Sequence, residues 1–371
     1  SMSSSLSNFS RIALSAGYRS SLRIATQNGC ASVWHAEGRS SLDIARQRTT
    51  NVQNPKKNIM ISRNYSTSTP RMMAHVDRLT DPESFLDELD VFIFDMDGVI
   101  WRGDSLIDGV PETLRKLREA GKQTFFVTNN STKSRAGYKT KFDNLGLDFI
   151  PSKEIFSSSF SAAAYLEMTQ FKETGKKVYI IGEAGIGDEL DLIGIPWIGG
   201  LQDQGKQPPM GPGDRLEHDH DVGAVVVGFD RNFNYYKIQY AQLCINENPD
   251  CKFIATNLDA VTHLTDAQQW AGGGSMVGAI KGCTGRDPTV VGKPSPLMIN
   301  YLCDKFGFDR KRICMVGDRL DTDIVFGANN GLQTLLVLSG VTSESKLLSP
   351  ENEVTPTFYT NSIVDFFSDR V

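Results

Sequence analysis

VFIFDMDGVIWRGD (residues 91–104) begins as an apolar run and stops at two aspartates one residue apart. Its first four residues have the length and the unbroken β-branched and aromatic character of a strand buried on both faces. Asp95 and Asp97 then set two carboxylates side by side at the end of that strand, where they repel one another unless a cation neutralises them. Six further runs read the same way: QTFFVT (123–128), KVYIIG (177–182), GAVVVG (223–228), KFIAT (252–256), ICMVG (313–317) and TLLVLSG (334–340). They alternate with helical stretches such as ETLRKLREAG (112–121), whose apolar period closes at the C-cap signal Gly121. This alternation predicts an α/β fold built from parallel βαβ units.

The 371 residues are enough for about two domains. No apolar run is long enough to span a bilayer as a helix, so no membrane partner is expected. Residues 1–74 carry ten Lys or Arg against Glu37 and Asp43, while the whole chain has a net charge of −5. The remainder is therefore acidic, which argues against a nucleic-acid surface. The leader itself (SLSNFSRIALSAGYRSSLRIA and onward) is Ser- and Arg-rich and acid-poor, the composition of an organelle transit peptide. Six scattered cysteines (Cys30, Cys244, Cys251, Cys283, Cys303, Cys314) form no CxxC pair, so buried free thiols are expected rather than a zinc or disulfide framework.

Residues 183–221 change character. Their Gly-, Pro- and charge-rich part, GGLQDQGKQPPMGPGDRLEHDHD, predicts an exposed loop, with His218 and His220 on a solvated surface rather than on a metal. Tyr235, Tyr236 and Tyr240 have the near-helical spacing of packing residues. AGGGSMVGAI (271–280) lacks the context of a dinucleotide loop, and Gly272–Gly274 read as a place of close backbone approach.

In open α/β sheets ligands bind beyond the carboxyl ends of the strands. Four such ends carry unusual polar residues: Asp95 and Asp97, then TNNS (128–131), then Lys293 in VVGKPSP, then GDRLDTD (317–323). Each alone has an ordinary explanation as a turn or cap. In this order they resemble the haloacid dehalogenase (HAD) superfamily of phosphotransferases, from about residue 90 to the C-terminus. The segment between TNNS and GKP resembles the α/β cap of the subgroup that includes the 4-nitrophenylphosphatase-like and phosphoglycolate phosphatases. DMDGVIW, VTNNSTKSR, VGFDRNFNYYK, IATNLDAVTHLTD and MVGDRLDTDI look like the corresponding stretches of land-plant and green-algal members.

The resemblance implies a Rossmann-like, doubly wound parallel-sheet core with an inserted C2-type α/β cap. The expected division is a presequence (1–74), core (75–171), cap (172–286) and core again (287–371). Asp95 would be the nucleophile and Asp97 the general acid and base, with Asp95, Asp97 (through its carbonyl) and Asp318 holding Mg²⁺. Asp323 would orient metal-bound water, and Asp321 would be solvated. Thr128, with amides near Asn129 and Asn130, would bind phosphoryl oxygens, and Lys293 would bring positive charge to nucleophile and phosphate. In the cap, Asp259 and His263 are the residues expected to face the substrate.

The implied activity is Mg²⁺-dependent hydrolysis of 2-phosphoglycolate, a reaction of photorespiration, in a chloroplast, with the mitochondrion as the alternative compartment. The rival readings are the same chemistry on pyridoxal phosphate or sugar phosphates, and a phosphometabolite-binding sensor without catalysis. The expected partner is a small phosphomonoester; a homodimer is compatible with the sequence.

Overall fold

The structure, a computed structural model, describes residues 76–262, 264, 265 and 267–367. The leader and Cys30, like His263, lie outside the described residues. Twelve of the described strands form two sheets, both wholly parallel. In chain order they are β1 (Asp77–Arg78), β2 (Val91–Phe94), β3 (Gln123–Thr128), β4 (Ile155–Ser157), β5 (Lys177–Ile181), β6 (Trp197–Gly199), β7 (Val222–Val227), β8 (Lys252–Ala255), β9 (Thr289–Val290), β10 (Ile313–Gly317), β11 (Gln333–Val337) and β12 (Phe358–Thr360).

The larger sheet has the order β1-β12-β11-β10-β2-β3-β4. From β2 the chain builds through β3 and β4 on one side, and returns much later through β10, β11 and β12 on the other. The order therefore switches direction beside β2, where a crevice opens at the carboxyl ends of the strands. Register decides what lines it. Phe94 pairs with Phe126 of β3 and with Val316 of β10, so Asp95, Val127 and Gly317 come level. The Asp95 N–H closes this row by donating to Val316 O at 2.8 Å. Beneath the crevice Phe94 stacks on Phe126 at 5.8 Å, and Phe142 meets both Phe126 and Trp101 edge-on at 5.0 Å. These rings are fully buried and fix the floor on which the aspartate loop stands.

The second sheet has the order β9-β8-β7-β5-β6 and packs against the helices Ala184–Ile193, Tyr235–Glu247 and Gly273–Thr284. Its edge strand β9 pairs with β8 and lies just past residue 286, at which the sequence reading ended the insertion.

The exposed loop expected over 183–221 is overturned in its first half, which holds the helix Ala184–Ile193 and strand β6. The signal was masked by glycines needed for contact. A Cβ on Gly185 would stand 2.4 Å from the Lys133 carbonyl carbon, and one on Gly187 would stand 2.6 Å from the Trp197 ring. His218 also departs from expectation, since its side chain is only 3% exposed. Its Nε2–H and the Nδ1–H of His220 donate to Asn248 Oδ1 at 3.0 and 3.3 Å, which makes the pair a structural tie. Tyr240 stacks on Tyr179 at 4.5 Å and Tyr236 stacks on Tyr240, whereas Tyr235 is 56% exposed. Cys244, Cys251 and Cys314 are buried free thiols.

Two helical glycines should respond with opposite sign. A Cβ on Gly278 would have open space around it, with nothing within 4 Å, so Gly278→Ala should stabilise by about 0.5–1 kcal/mol through helix propensity. Gly185→Ala should destabilise by about 1–3 kcal/mol, because its obstacle is backbone. Denaturant midpoints of the two variants check this; a stabilised Gly185→Ala would show that the helix does not pack so closely on residue 133.

Candidate active site

Lys293 is 2% exposed, and all three of its ammonium hydrogens are accounted for. They go to Asp95 Oδ1 at 2.5 Å, Asp323 Oδ1 at 2.6 Å and Val127 O at 3.1 Å. The lysine is held in turn by Asn129. Asn129 Oδ1 accepts from Lys293 N–H at 2.8 Å, and Asn129 Nδ2 donates to Lys293 O at 3.1 Å. The same Nδ2 reaches the Asp259 carboxylate at 3.1 Å, and Asn257 Nδ2 donates to Asn129 O at 2.7 Å. One asparagine thus joins strand end β3, the loop after β9 and the loop after β8.

Asp95, Asp318 and Asp323 each bring a carboxylate oxygen within 4.8 Å of one another. Their closeness is set by residues without side chains. A Cβ on Gly340 would stand 1.9 Å from Asp318 Oδ2, one on Gly98 would stand 2.4 Å from it, and one on Gly317 would meet Asp323 Cβ at 2.2 Å. Gly98 also needs its φ of +83° to turn the aspartate loop back, with its N–H on Trp101 O and its carbonyl accepting from Ser339 Oγ. Asp323 is reached through one wide π-helical turn, Leu320–Ile324, and its Oδ2 accepts from Arg319 N–H at 3.1 Å.

Three buried carboxylates share one ammonium, an excess of two negative charges. Burial, and then the neighbouring Asp323, push the Asp318 carboxyl up to about 7. Burial raises Asp95 well above its ordinary value as well; Lys293 opposes this shift, and Asp323 and Asp318 add to it. Burial alone would pull Lys293 down, yet Asp323 and Asp95 hold it above the usual lysine range. Asp318 Oδ2 accepts from Val341 N–H at 2.7 Å, but its buried Oδ1 has no hydrogen-bond partner. A divalent cation with a preference for oxygen fits this set in charge and in ligand type, and would satisfy the orphaned oxygen.

Asp97 lies outside that carboxylate cluster. Its Oδ1 accepts from Trp101 Nε1 at 2.8 Å, and the side chain lines a cavity of about 400 Å³ together with Asp95, Thr128, Asp259, Lys293 and Asp318. Thr128 Oγ1 accepts from Asn130 N–H at 3.1 Å, and Asn130 Oδ1 caps Thr132 N–H, so the TNNS turn is internally braced. The Asn129 side chain is committed to Lys293 and Asp259, not turned toward a ligand. Asp321 is chelated by Arg319 at the cavity rim. Gly272 and Gly274 lie against the Leu258–Asp259 backbone, the close approach expected of them. Sequence reading missed Asn257, Trp101 and the Ser339–Val341 turn; the last follows strand β11, and its position at a strand end was the available signal.

Residues 92–196 match the family model for haloacid dehalogenase-like hydrolases, and residues 290–366 match a second HAD-hydrolase-like model. The chain is 62% identical to the chloroplastic phosphoglycolate phosphatase 1A of Arabidopsis thaliana, over 82% of this chain and 83% of the relative. It is 54% identical to phosphoglycolate phosphatase 2 of the same plant, covering 76% of this chain and 94% of the relative. A 4-nitrophenylphosphatase structure from Thermotoga maritima superposes with a TM-score of 0.62 at 29% identity, over 76% of this chain and 97% of that one. The chain belongs to the haloacid dehalogenase-like hydrolases, and its core is the doubly wound sheet of that family.

The charge excess has a pH-dependent consequence. The folded-state value of Asp318 lies above the ordinary carboxylate value of about 3.9, so the stability its neutral form contributes is complete below that value. It is lost as pH rises through about 7. A bound cation removes this penalty, so magnesium chloride should raise the unfolding midpoint more at pH 8 than at pH 6. Asp318→Asn should unfold at a higher temperature than metal-free wild type at pH 8 and gain little from the salt. A salt-induced gain that is equal at both pH values and survives Asp318→Asn would contradict the assignment.

Proposed function

We propose that the protein is a Mg²⁺-dependent phosphoric monoester hydrolase that converts 2-phosphoglycolate to glycolate and phosphate through an aspartyl-phosphate on Asp95. The observation that carries the reaction type is the buried Lys293 shared between Asp95 and Asp323, beside an Asp318 oxygen left without a partner. The substrate is supported by the 62% identity to a phosphoglycolate phosphatase over most of both chains.

Asp95, Asp318 and the backbone carbonyl of Asp97 would hold Mg²⁺. When bound, the ion neutralises the carboxylates and the phosphate dianion and so lets one anion approach another. An Asp95 oxygen attacks phosphorus, and the bond from phosphorus to the glycolate oxygen breaks. Asp97, steadied by Trp101, gives its proton to the departing alkoxide. Its carboxylate then takes a proton from the water that attacks the aspartyl-phosphate, which frees Asp95 and releases phosphate. Lys293 keeps its charge throughout and holds Asp95 in line. Thr128, at the cavity wall, would meet a phosphoryl oxygen with its hydroxyl.

The five-stranded layer is the cap. Its loop 256–260 meets the core through Asn257 and Asp259, which restricts access to small phosphomonoesters. The chloroplast is the proposed compartment, supported by the leader's composition and by the chloroplastic relative. Photorespiration is the setting in which that substrate arises.

A panel of phosphate esters with and without Mg²⁺ tests this reading. Phosphoglycolate should be turned over with a higher kcat/KM than pyridoxal phosphate or sugar phosphates. Chelation should abolish turnover of every ester, Mg²⁺ should restore it, and Ca²⁺ should inhibit because its looser shell misplaces nucleophile and phosphate. Undiminished activity after exhaustive chelation would sink the mechanism, and preference for another ester would sink the substrate.

A further inference from the structure

The loop over residues 131–135 is pinned from several directions. Gly185 N–H donates to Thr132 O at 3.2 Å, Ser159 Oγ to Lys133 O at 2.8 Å, and Ser134 Oγ to Asp188 Oδ2 at 3.1 Å. Arg135 donates to the fully buried Glu189 carboxylate from its backbone N–H at 2.6 Å and from its guanidinium at 2.8 Å. The backbone of Lys133 is therefore fixed between core and cap. Its side chain is exposed and lines the cavity that Asp95 and Asp97 share.

Besides Lys293, four cationic side chains among the described residues line that cavity: Lys133, Lys141, Arg231 and Arg319. Three of them are already compensated by carboxylates. Glu183 chelates Arg231 at 2.6 Å through both oxygens, Asp321 chelates Arg319 at 2.9 and 3.1 Å, and Lys141 lies 3.6 Å from Asp104 while donating to Gly103 O. Lys133 is paired with no carboxylate of the described residues; its ammonium lies 5.9 Å from the ring centre of Tyr138. The Tyr138 hydroxyl donates to Asn130 O at 3.4 Å, so Lys133 stands by the TNNS turn, whose Asn130 lines the cavity together with Asp97.

We infer that Lys133 is a specificity-determining residue whose ammonium receives the carboxylate of the leaving group, selecting phosphomonoesters of small hydroxy acids over those of neutral alcohols. The inference rests on the proposed function and adds to it the residue that reads the acid. The bound cation and the TNNS turn would take the phosphate, and the substrate's other negative charge, on its carboxylate, meets Lys133, the cavity cation without a carboxylate of its own among the described residues. Because the ammonium is open to solvent, its effect should be on the order of a charge-assisted hydrogen bond rather than a buried ion pair.

The test measures kcat and KM of the full-length protein on 2-phosphoglycolate and on 2-hydroxyethyl phosphate, which is of equal length but ends in a hydroxyl. Wild type, Lys133→Met and Lys133→Arg are compared, with unfolding midpoints recorded for each. Lys133→Met should lower kcat/KM for phosphoglycolate by about 10- to 100-fold, mainly through KM, and change the neutral ester by no more than about twofold. Lys133→Arg should retain most of the preference. Equal losses on both esters, or a preference that survives Lys133→Met, overturns the assignment alone. A wild type that shows no preference for phosphoglycolate overturns the substrate reading, and this assignment with it.

Discussion

Everything in the site depends on one ammonium group buried among acceptors. Lys293 gives its three hydrogens to two carboxylates and a strand-end carbonyl, and its charge opposes the rise that burial imposes on the Asp95 carboxyl. Removing one partner of such a buried pair typically costs about 3–5 kcal/mol, because the charge left behind has no solvent to turn to. The lysine's own peptide is gripped by Asn129, which also reaches Asp259 and accepts from Asn257. Contacts between the loop after β8 and Asn129 thus also aim the lysine.

The glycines explain why this balance is incomplete. Gly98, Gly317 and Gly340 let backbone press against Asp318 and Asp323 so tightly that no Cβ would fit. The carboxylates are forced together where water cannot screen them, and one ammonium cannot offset three of them. The protein keeps an unsatisfied oxygen on Asp318 and an unmet charge, and a divalent cation would answer both. Repulsion between neighbouring aspartates would therefore favour uptake of a divalent cation.

Much of this was legible in the sequence, and what was not has physical causes. The seven long apolar runs were found because strands buried on both faces show no polar interruption, and Asp95, Thr128 and Asp318 followed as their end residues, whereas Lys293, after the two-residue β9, was found through its GKP motif. Strands β4, β6, β9 and β12 have two or three residues each, too few for a pattern. The helix Ala184–Ile193 was hidden because its glycines, which read as loop, serve contact with residue 133 and Trp197. Asn129 was read only for the backbone amides around it, since the grip of its side chain on Lys293 joins residues 164 positions apart and leaves no local trace. The burial of His218 depends likewise on Asn248, 30 residues away.

The most direct test of Asp95 as the ammonium-held nucleophile is to trap the phosphate it accepts. Asp97→Asn retains the nucleophile and lacks the group that activates water, so phosphoenzyme should accumulate when it is mixed with phosphoglycolate carrying labelled phosphorus and quenched rapidly in acid. Label released by hydroxylamine and recovered on the peptide that contains Asp95, and absent from Asp95→Asn, is the expected result. Turnover with no trapped label, or label on another residue, would contradict it.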